Sequence, residues 1–349
     1  MSTSAVIIFA VCITFVSSFD PTVHPANPFN AVADAETLGA AFQLQYAGEV
    51  TIINLLTKRA IKQRLNITKA YNELYNRDLM ADLHEKFHGE LDYAIASLMS
   101  PVLDYYAKEI HYAVAGWGTT EDILIEILTI LNNNEMKALA TRYEQLYGRS
   151  LKSDVEDDTS GNFQVLLSMM INGERSEAAY NEQQCFADNK AIFEKREALM
   201  KTEKWVIVTY EKKYKDFGIT VAEVLGTRSY NHLKVCFNKY RASYGEHFED
   251  HVIGVFSKFW SKNLKKTLLA IAHVVHTKFG YLAKRLYDSM DPKNMNYRTL
   301  TRIIVSRSGV DLGGIKKEFE LMYSTKLETM VAHWTSGNYQ KFLLSLVQN

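Results

Sequence analysis

Two glycines bracket a tryptophan in Val114-Ala115-Gly116-Trp117-Gly118-Thr119-Thr120-Glu121, just ahead of a run with amphipathic helical spacing. Glycine tolerates positive φ, so successive carbonyls in such a loop can turn toward one point. A carbonyl-lined turn suits a hard cation. Calcium takes six to eight oxygens, backbone carbonyls and a bidentate carboxylate among them. The loop offers the carbonyls of Val114, Gly116 and Gly118. Asp158, which opens Asp158-Thr159-Ser160-Gly161 40 residues beyond Gly118, offers the carboxylate. Trp117, at the crown, suits a membrane–water interface, with its apolar body inward and its N–H toward headgroups. The alternative for it is a core position capping the next helix, and for the glycines a plain interhelical turn.

The elements that position this loop repeat along the chain. Tyr71-Asn72-Glu73-Leu74-Tyr75 returns as Tyr143-Glu144-Gln145-Leu146-Tyr147, and Thr159-Ser160-Gly161-Asn162-Phe163 as Thr335-Ser336-Gly337-Asn338-Tyr339. Gly226-Thr227-Arg228-Ser229 is echoed by Val305-Ser306-Arg307-Ser308. Arg59, Leu131, Arg228 and Arg307 each precede a tyrosine by 16 residues (Tyr75, Tyr147, Tyr244, Tyr323), which marks four units. Between markers the apolar period is helical, as in Ile123, Leu124, Ile127, Leu128 and Leu131. Units of about 70 residues hold about five helices of ordinary length. The expected fold is all-α, with helical units sharing buried faces.

These motifs resemble those of the annexin family over roughly residues 33–347. The Gly-x-Gly-Thr loop with Asp-Thr-Ser-Gly about 40 residues on resembles its calcium signature. Residues 226–240 (GTRSYNHLKVCFNKY) and the run Thr299 to Leu312 resemble its third and fourth repeats. The resemblance implies four repeats of five helices packed as a curved disc, and calcium-dependent binding to anionic phospholipid membranes. It implies a Ca2+ site made by the carbonyls of Val114, Gly116 and Gly118 and the Asp158 carboxylate. It adds a weaker accessory site at the Thr119 carbonyl and the Glu121 side chain, with Trp117 at the lipid. The expected organisation is a signal peptide over 1–18, a tail over 19–33, and repeats over 34–101, 102–173, 174–273 (with an insertion) and 274–349.

The other three units depart from this pattern. Their loop-glycine positions hold Leu44 and Tyr46, Lys213 and Lys215, and Pro292 and Asn294. Their carboxylate positions hold Lys86, Val255 or (with an insertion) Phe259, and Trp334. Lys86 at a former cation site repels calcium. Trp334 and Phe259, or its neighbour Trp260, either meet lipid or a protein partner without calcium, or fill core volume. The third unit also carries extra chain around Glu194–Phe217, rich in Lys and Glu, read either as a helix extension with a solvated charged face or as a partner-binding insertion. Arg59, Arg228 and Arg307 read as scaffold that ties helices together.

The chain has 349 residues with 40 basic and 40 acidic side chains, so bulk electrostatics give no reason to expect nucleic acid as a partner. Three cysteines without a CxxC exclude a disulfide scaffold. If residues 1–18 leave, Cys12 goes with them, and Cys185 and Cys236 are each expected as buried thiols. The stretch Ala5–Val16 is uncharged, too short to span a bilayer and suited to a secretory signal, and Phe19–Ala33 holds Pro21, Pro25 and Pro28 as an extended tail. This points to a secreted protein with peripheral membrane association, the alternative being cytoplasmic. No nucleophile, zinc or phosphate-loop motif points to an enzyme. The alternative function is a secreted interaction protein on the same scaffold, with calcium binding reduced or vestigial.

Overall fold

A computed structural model describes residues 19–115, 120–256 and 261–348. The described residues form α-helices and no strand. The first unit comprises α1 (Ala31–Phe42), α2 (Tyr46–Thr57), α3 (Ile61–Tyr75), α4 (Leu79–Lys86) and α5 (Gly89–Met99). The second comprises α6 (Val102–Val114), α7 (Glu121–Ile130), α8 (Asn133–Tyr147), α9 (Leu151–Asp158) and α10 (Gly161–Ile171). The third comprises α11 (Glu182–Met200), α12 (Ile207–Thr227), α13 (Tyr230–Tyr244), the short α14 (Phe248–His251) and α15 (Lys262–His276). The fourth comprises α16 (Lys278–Ser289), α17 (Tyr297–Ser308), α18 (Leu312–Tyr323), α19 (Leu327–Trp334) and α20 (Gly337–Gln348).

The repeating tyrosines close the third helix of each unit. After Tyr75, Tyr147, Tyr244 and Tyr323 the chain turns left-handed at Asn76, Gly148, Gly245 and Ser324, the usual way a helix ends. A second recurrent left-handed residue opens the fifth helix: Gly89, Gly161 and Gly337 have φ of 62°, 63° and 62°. A Cβ at any of these three would meet nothing within 4 Å, so glycine is kept there for its backbone freedom and not for space.

The arginine markers tie helices as expected. Arg59 forks onto Asp34 of α1 at 2.6 and 2.8 Å, Arg228 onto Asp188 of α11 at 2.7 and 3.0 Å, and Arg307 onto Asp311 at 2.7 and 2.5 Å. In the second unit, where Leu131 replaces the marker, Asp104 of α6 takes its fork from Arg142 of α8 instead, at 2.6 and 2.8 Å. Unit interfaces bury the apolar faces. α2 and α5 pack on α20 and α17, and α7 and α10 pack on α15 and α12. The extended segment before α1 straps units together. Asp20 and Thr22 donate their N–H groups to Val310 and Ser308, and the Ala26 N–H donates to Gln63 Oε1 at 2.9 Å.

The expectation of two buried thiols is overturned. Cys185 at the start of α11 and Cys236 on α13 are bonded as a disulfide with Cα atoms 5.6 Å apart. Fifty-one residues separate the two in sequence, so proximity was invisible until the two helices packed. His232 lies beside them, but its Nδ1 accepts the Asn181 N–H at 3.3 Å and the bonded sulfurs offer a cation no thiolate. Closing a loop of this size restricts the unfolded chain and stabilises by about 2–4 kcal/mol. Cys236→Ser, or a dithiol reductant, should lower the urea midpoint accordingly. A midpoint indifferent to both would mean that the bond contributes nothing in solution.

Candidate functional site

The loop between α6 and α7 is closed by the Thr120 N–H, which donates to the Ala113 carbonyl at 3.1 Å. Val114 is the last residue of α6 and Glu121 the first of α7, so the flanks of the sequence-derived site stand at two adjacent helix ends. Gly116, Trp117, Gly118 and Thr119 lie outside the described residues, as do residues 1–18, Phe259 and Trp260. Glu121 is already engaged: its Oε1 accepts from Asn263 Nδ2 of α15 at 2.7 Å. Next to it, Asp122 accepts from Lys266 at 2.8 Å. Burial would raise the Asp122 carboxyl, but Lys266, with Arg285 and Lys262, outweighs burial and holds it below its ordinary pKa. The base of the loop is thereby braced between the second and third units.

Asp158 ends α9, and the turn that follows it is built by local hydrogen bonds. Thr159 Oγ1 donates to the Val155 carbonyl at 2.6 Å, and Gln164 Nε2 donates to the carbonyls of Glu156 and Thr159 at 2.6 and 3.1 Å. The fourth unit reproduces the turn bond for bond. There Thr335 Oγ1 donates to Val331, and Gln340 Nε2 to Ala332 and Thr335, at 2.6, 2.7 and 2.5 Å. The scaffold of the turn therefore survives where the carboxylate does not. Trp334, which stands in its place, is half-buried against the core and edge-on to His333. Of its two sequence readings, core filling is the one the geometry bears out.

The first unit shows how the two halves of this arrangement meet. Lys86, at the position equivalent to Asp158, donates from Nζ to the carbonyl of Leu44, in the loop between α1 and α2. Leu44 holds the place of the first loop glycine. The side chain at the end of the fourth helix and a carbonyl of the first interhelical loop thus converge on one point. In the first unit that point is occupied by the protein's own ammonium.

In the third unit the repeat ruler misplaces the loop. Lys213 and Lys215 lie inside α12, and the interhelical turn is instead residues 201–206. The extra chain lengthens both flanking helices: α11 has 19 residues and α12 has 21, against 10 to 13 for their counterparts α1, α2, α6, α7, α16 and α17. The stretch read as a charged solvated face carries an apolar crown at its turn, Trp205 to Val208, all exposed. The run of four apolar residues between lysines was the available signal, outweighed by the Lys and Glu count around it.

Sequence reasoning also missed a buried charged cluster between the second and fourth units. Arg302 of α17 donates to Glu126 of α7 at 2.7 Å and to Glu109 of α6 at 3.0 Å. Arg298 forks onto Glu109 at 2.9 and 2.7 Å, and Arg285 reaches Glu126 at 3.1 Å. No helix among the described residues is long and apolar enough to cross a membrane.

The annexin family model matches residues 33–98, 105–170 and 281–346. Human annexin A5 is 37% identical over 326 residues, spanning 93% of this chain and 96% of its own. Chicken annexin A6 is 36% identical over 325 residues, spanning 93% of this chain and 47% of its own. Among solved structures, annexin III superposes with a TM-score of 0.84 at 29% identity, covering 94% of this chain and 97% of its own. Calcium-bound annexin (Sm)1 superposes with a TM-score of 0.75 at 27% identity, covering 95% and 94%.

Proposed function

The chain belongs to the annexin family, and we propose that it binds anionic phospholipid membranes through calcium held mainly in its second unit. The observation that carries this reading is the Lys86–Leu44 contact of the first unit. It locates the point on which a fourth-helix side chain and a loop carbonyl converge. At the equivalent point the second unit alone pairs Gly-x-Gly with an acid, Asp158. That set, the carbonyls of Val114, Gly116 and Gly118 with the Asp158 carboxylate, consists of hard oxygen donors of the kind calcium takes. When bound, the ion would supply a positive centre open to a lipid phosphate. The chain's own part is to hold the carbonyls and the carboxylate in place and to present Trp117 beside them. The accessory pair, Thr119 and Glu121, is the weaker proposal, because Glu121 is already held by Asn263.

With one such site per chain, avidity from repeated units is small. The secreted placement draws support from the Cys185–Cys236 disulfide, since such bonds persist in oxidising compartments. The deciding experiment is cosedimentation with phosphatidylserine vesicles across a calcium titration. Calcium-dependent binding is expected, with Asp158→Ala weakening it to a small remainder at much higher calcium. Asp158→Ala binding with an unchanged calcium midpoint would overturn the site. No binding under any condition would leave the protein-interaction reading, which the cation-filled first unit favours.

A further inference from the structure

We propose that the elongated α11–α12 hairpin of the third unit is a calcium-independent anchor that dips its apolar tip into an anionic lipid surface. It occupies the position in its unit that the loop between α6 and α7 occupies in the second. There, instead of glycines that would gather carbonyls around a metal, the chain builds a helical prong.

Direction and height follow from the packing of α12 on α10. A Cβ on Gly218 would meet Asn162, and one on Gly226 would meet Leu166 and Met169, so the two helices run in the same direction. Asn162 Nδ2 also donates to the Lys215 carbonyl at 3.2 Å. α10 begins at Gly161, level with Gly218, whereas α12 begins 11 residues earlier at Ile207. At a rise of 1.5 Å per residue the tip stands about 16 Å beyond the level of Asn162. That level is four residues past Asp158. The prong therefore projects from the same end of the units as the proposed calcium site.

Its shaft is braced. Lys195 Nζ donates to Thr220 Oγ1 at 2.6 Å, Lys213 Nζ to Thr202 Oγ1 at 2.9 Å, and Arg196 Nε to the His251 carbonyl at 2.7 Å. Leu199 is fully buried at the neck. The crown is the opposite: Trp205 is 77%, Ile207 61% and Val208 82% exposed, with Met200 beside them. Four large apolar side chains at one projecting turn are costly in water and need a cover.

Two features commit that cover to lipid. Trp is the side chain best suited to the interface, and an apolar tip of this size matches the depth to which interfacial elements bury, about 5–10 Å. At the turn exposed Lys201 and Lys204 stand with Glu203, and early in α12 exposed Lys212 and Lys215 stand with Glu211 and Asp216, so bases outnumber acids where the tip would meet an anionic surface. The inference rests with the proposed function on this end of the molecule meeting lipid, but it needs no metal.

The test uses the full-length protein and vesicles of phosphatidylcholine with or without phosphatidylserine, in EGTA and in calcium. Wild type is expected to bind phosphatidylserine vesicles in EGTA. Trp205→Ala/Val208→Asp should lower that affinity about tenfold or more, since burial of one aromatic side chain carries at least that factor. Asp158→Ala should leave it unchanged. Quenching of tryptophan fluorescence by brominated lipid in EGTA should fall on Trp205→Phe, an exposed and conservative change. No binding in EGTA, with tip variants equal to wild type in calcium, would overturn the anchor and leave the Asp158 site standing. Binding in EGTA lost with the tip, and no calcium dependence at all, would do the reverse. Unchanged vesicle binding with loss of a wild-type dimer on the sizing column would mean that the tip joins two copies, and the lipid proposal would fall.

Discussion

Asp158→Lys should abolish calcium-dependent vesicle binding at every calcium concentration while leaving the protein as stable as wild type. The substitution transplants the first unit's arrangement into the second. Lys86 already shows that an ammonium at this position reaches an interhelical carbonyl. Replacing a carboxylate with an ammonium turns attraction into repulsion. A pair of unit charges 4 Å apart at an effective dielectric constant of 20 interacts by about 4 kcal/mol, about a thousandfold in affinity, and calcium carries two charges. Asp158→Ala removes the attraction only, so weak calcium-dependent binding is expected to remain there and no calcium-dependent binding for lysine. Thermal melts separate a closed site from a broken fold. In EGTA the lysine variant should melt with wild type, and added calcium should shift wild type alone. A lysine variant that still sediments with vesicles at the wild-type calcium midpoint would place the metal elsewhere.

The largest stability effect is expected at Arg302→Met. Arg302, Glu109 and Glu126 are each 1–2% exposed, and Arg302 is the one guanidinium bonded to both carboxylates. Losing it leaves two buried acids to Arg298 and Arg285, which approach from the more exposed ends of the cluster. Breaking a buried pair from one side costs about 3–5 kcal/mol, because the surviving charge stays in a low-dielectric site. Removing both partners returns the cluster to its wild-type balance of charge, so Glu126→Gln/Arg302→Met should be less destabilised than the sum of the single variants. Urea midpoints for the four proteins give the coupling. Strict additivity would mean that the charges are solvated and the units are held together by apolar contacts alone. Since these side chains belong to the second and fourth units, proteolysis at the junctions between units should accelerate in step with the loss of stability.

Much of the architecture was legible because it is encoded locally and four times over. Helical period, the tyrosines that precede left-handed caps at Asn76, Gly148, Gly245 and Ser324, and the glycines that open α5, α10 and α20 are short-range signals. A missing marker was informative too. Leu131 stands where the other units carry arginine, and Arg142 takes over Asp104. The candidate site was readable for the same reason, since glycine spacing and an acid 40 residues on are properties of one repeat.

What stayed hidden depends on residues far apart in sequence or on which side of a helix meets water. Nothing near Cys185 indicates that Cys236 packs against it, and nothing near Arg302 indicates two glutamates 193 and 176 residues away. Lys86 read as a charge that repels a metal, and only the folded chain brings its ammonium to the Leu44 carbonyl. Of the two readings of the extra chain, the helix extension is what the folded chain shows, and its apolar tip is what averaging concealed. Composition over Glu194–Phe217 is charged, yet exposed Trp205, Ile207 and Val208 stand together where the turn meets α12, among Lys201, Glu203 and Lys204. Composition reports how many side chains of each kind a segment holds. Exposure depends on the packing of neighbouring helices, and α12 outruns α10 by about three turns, which leaves Trp205, Ile207 and Val208 with no neighbour to cover them.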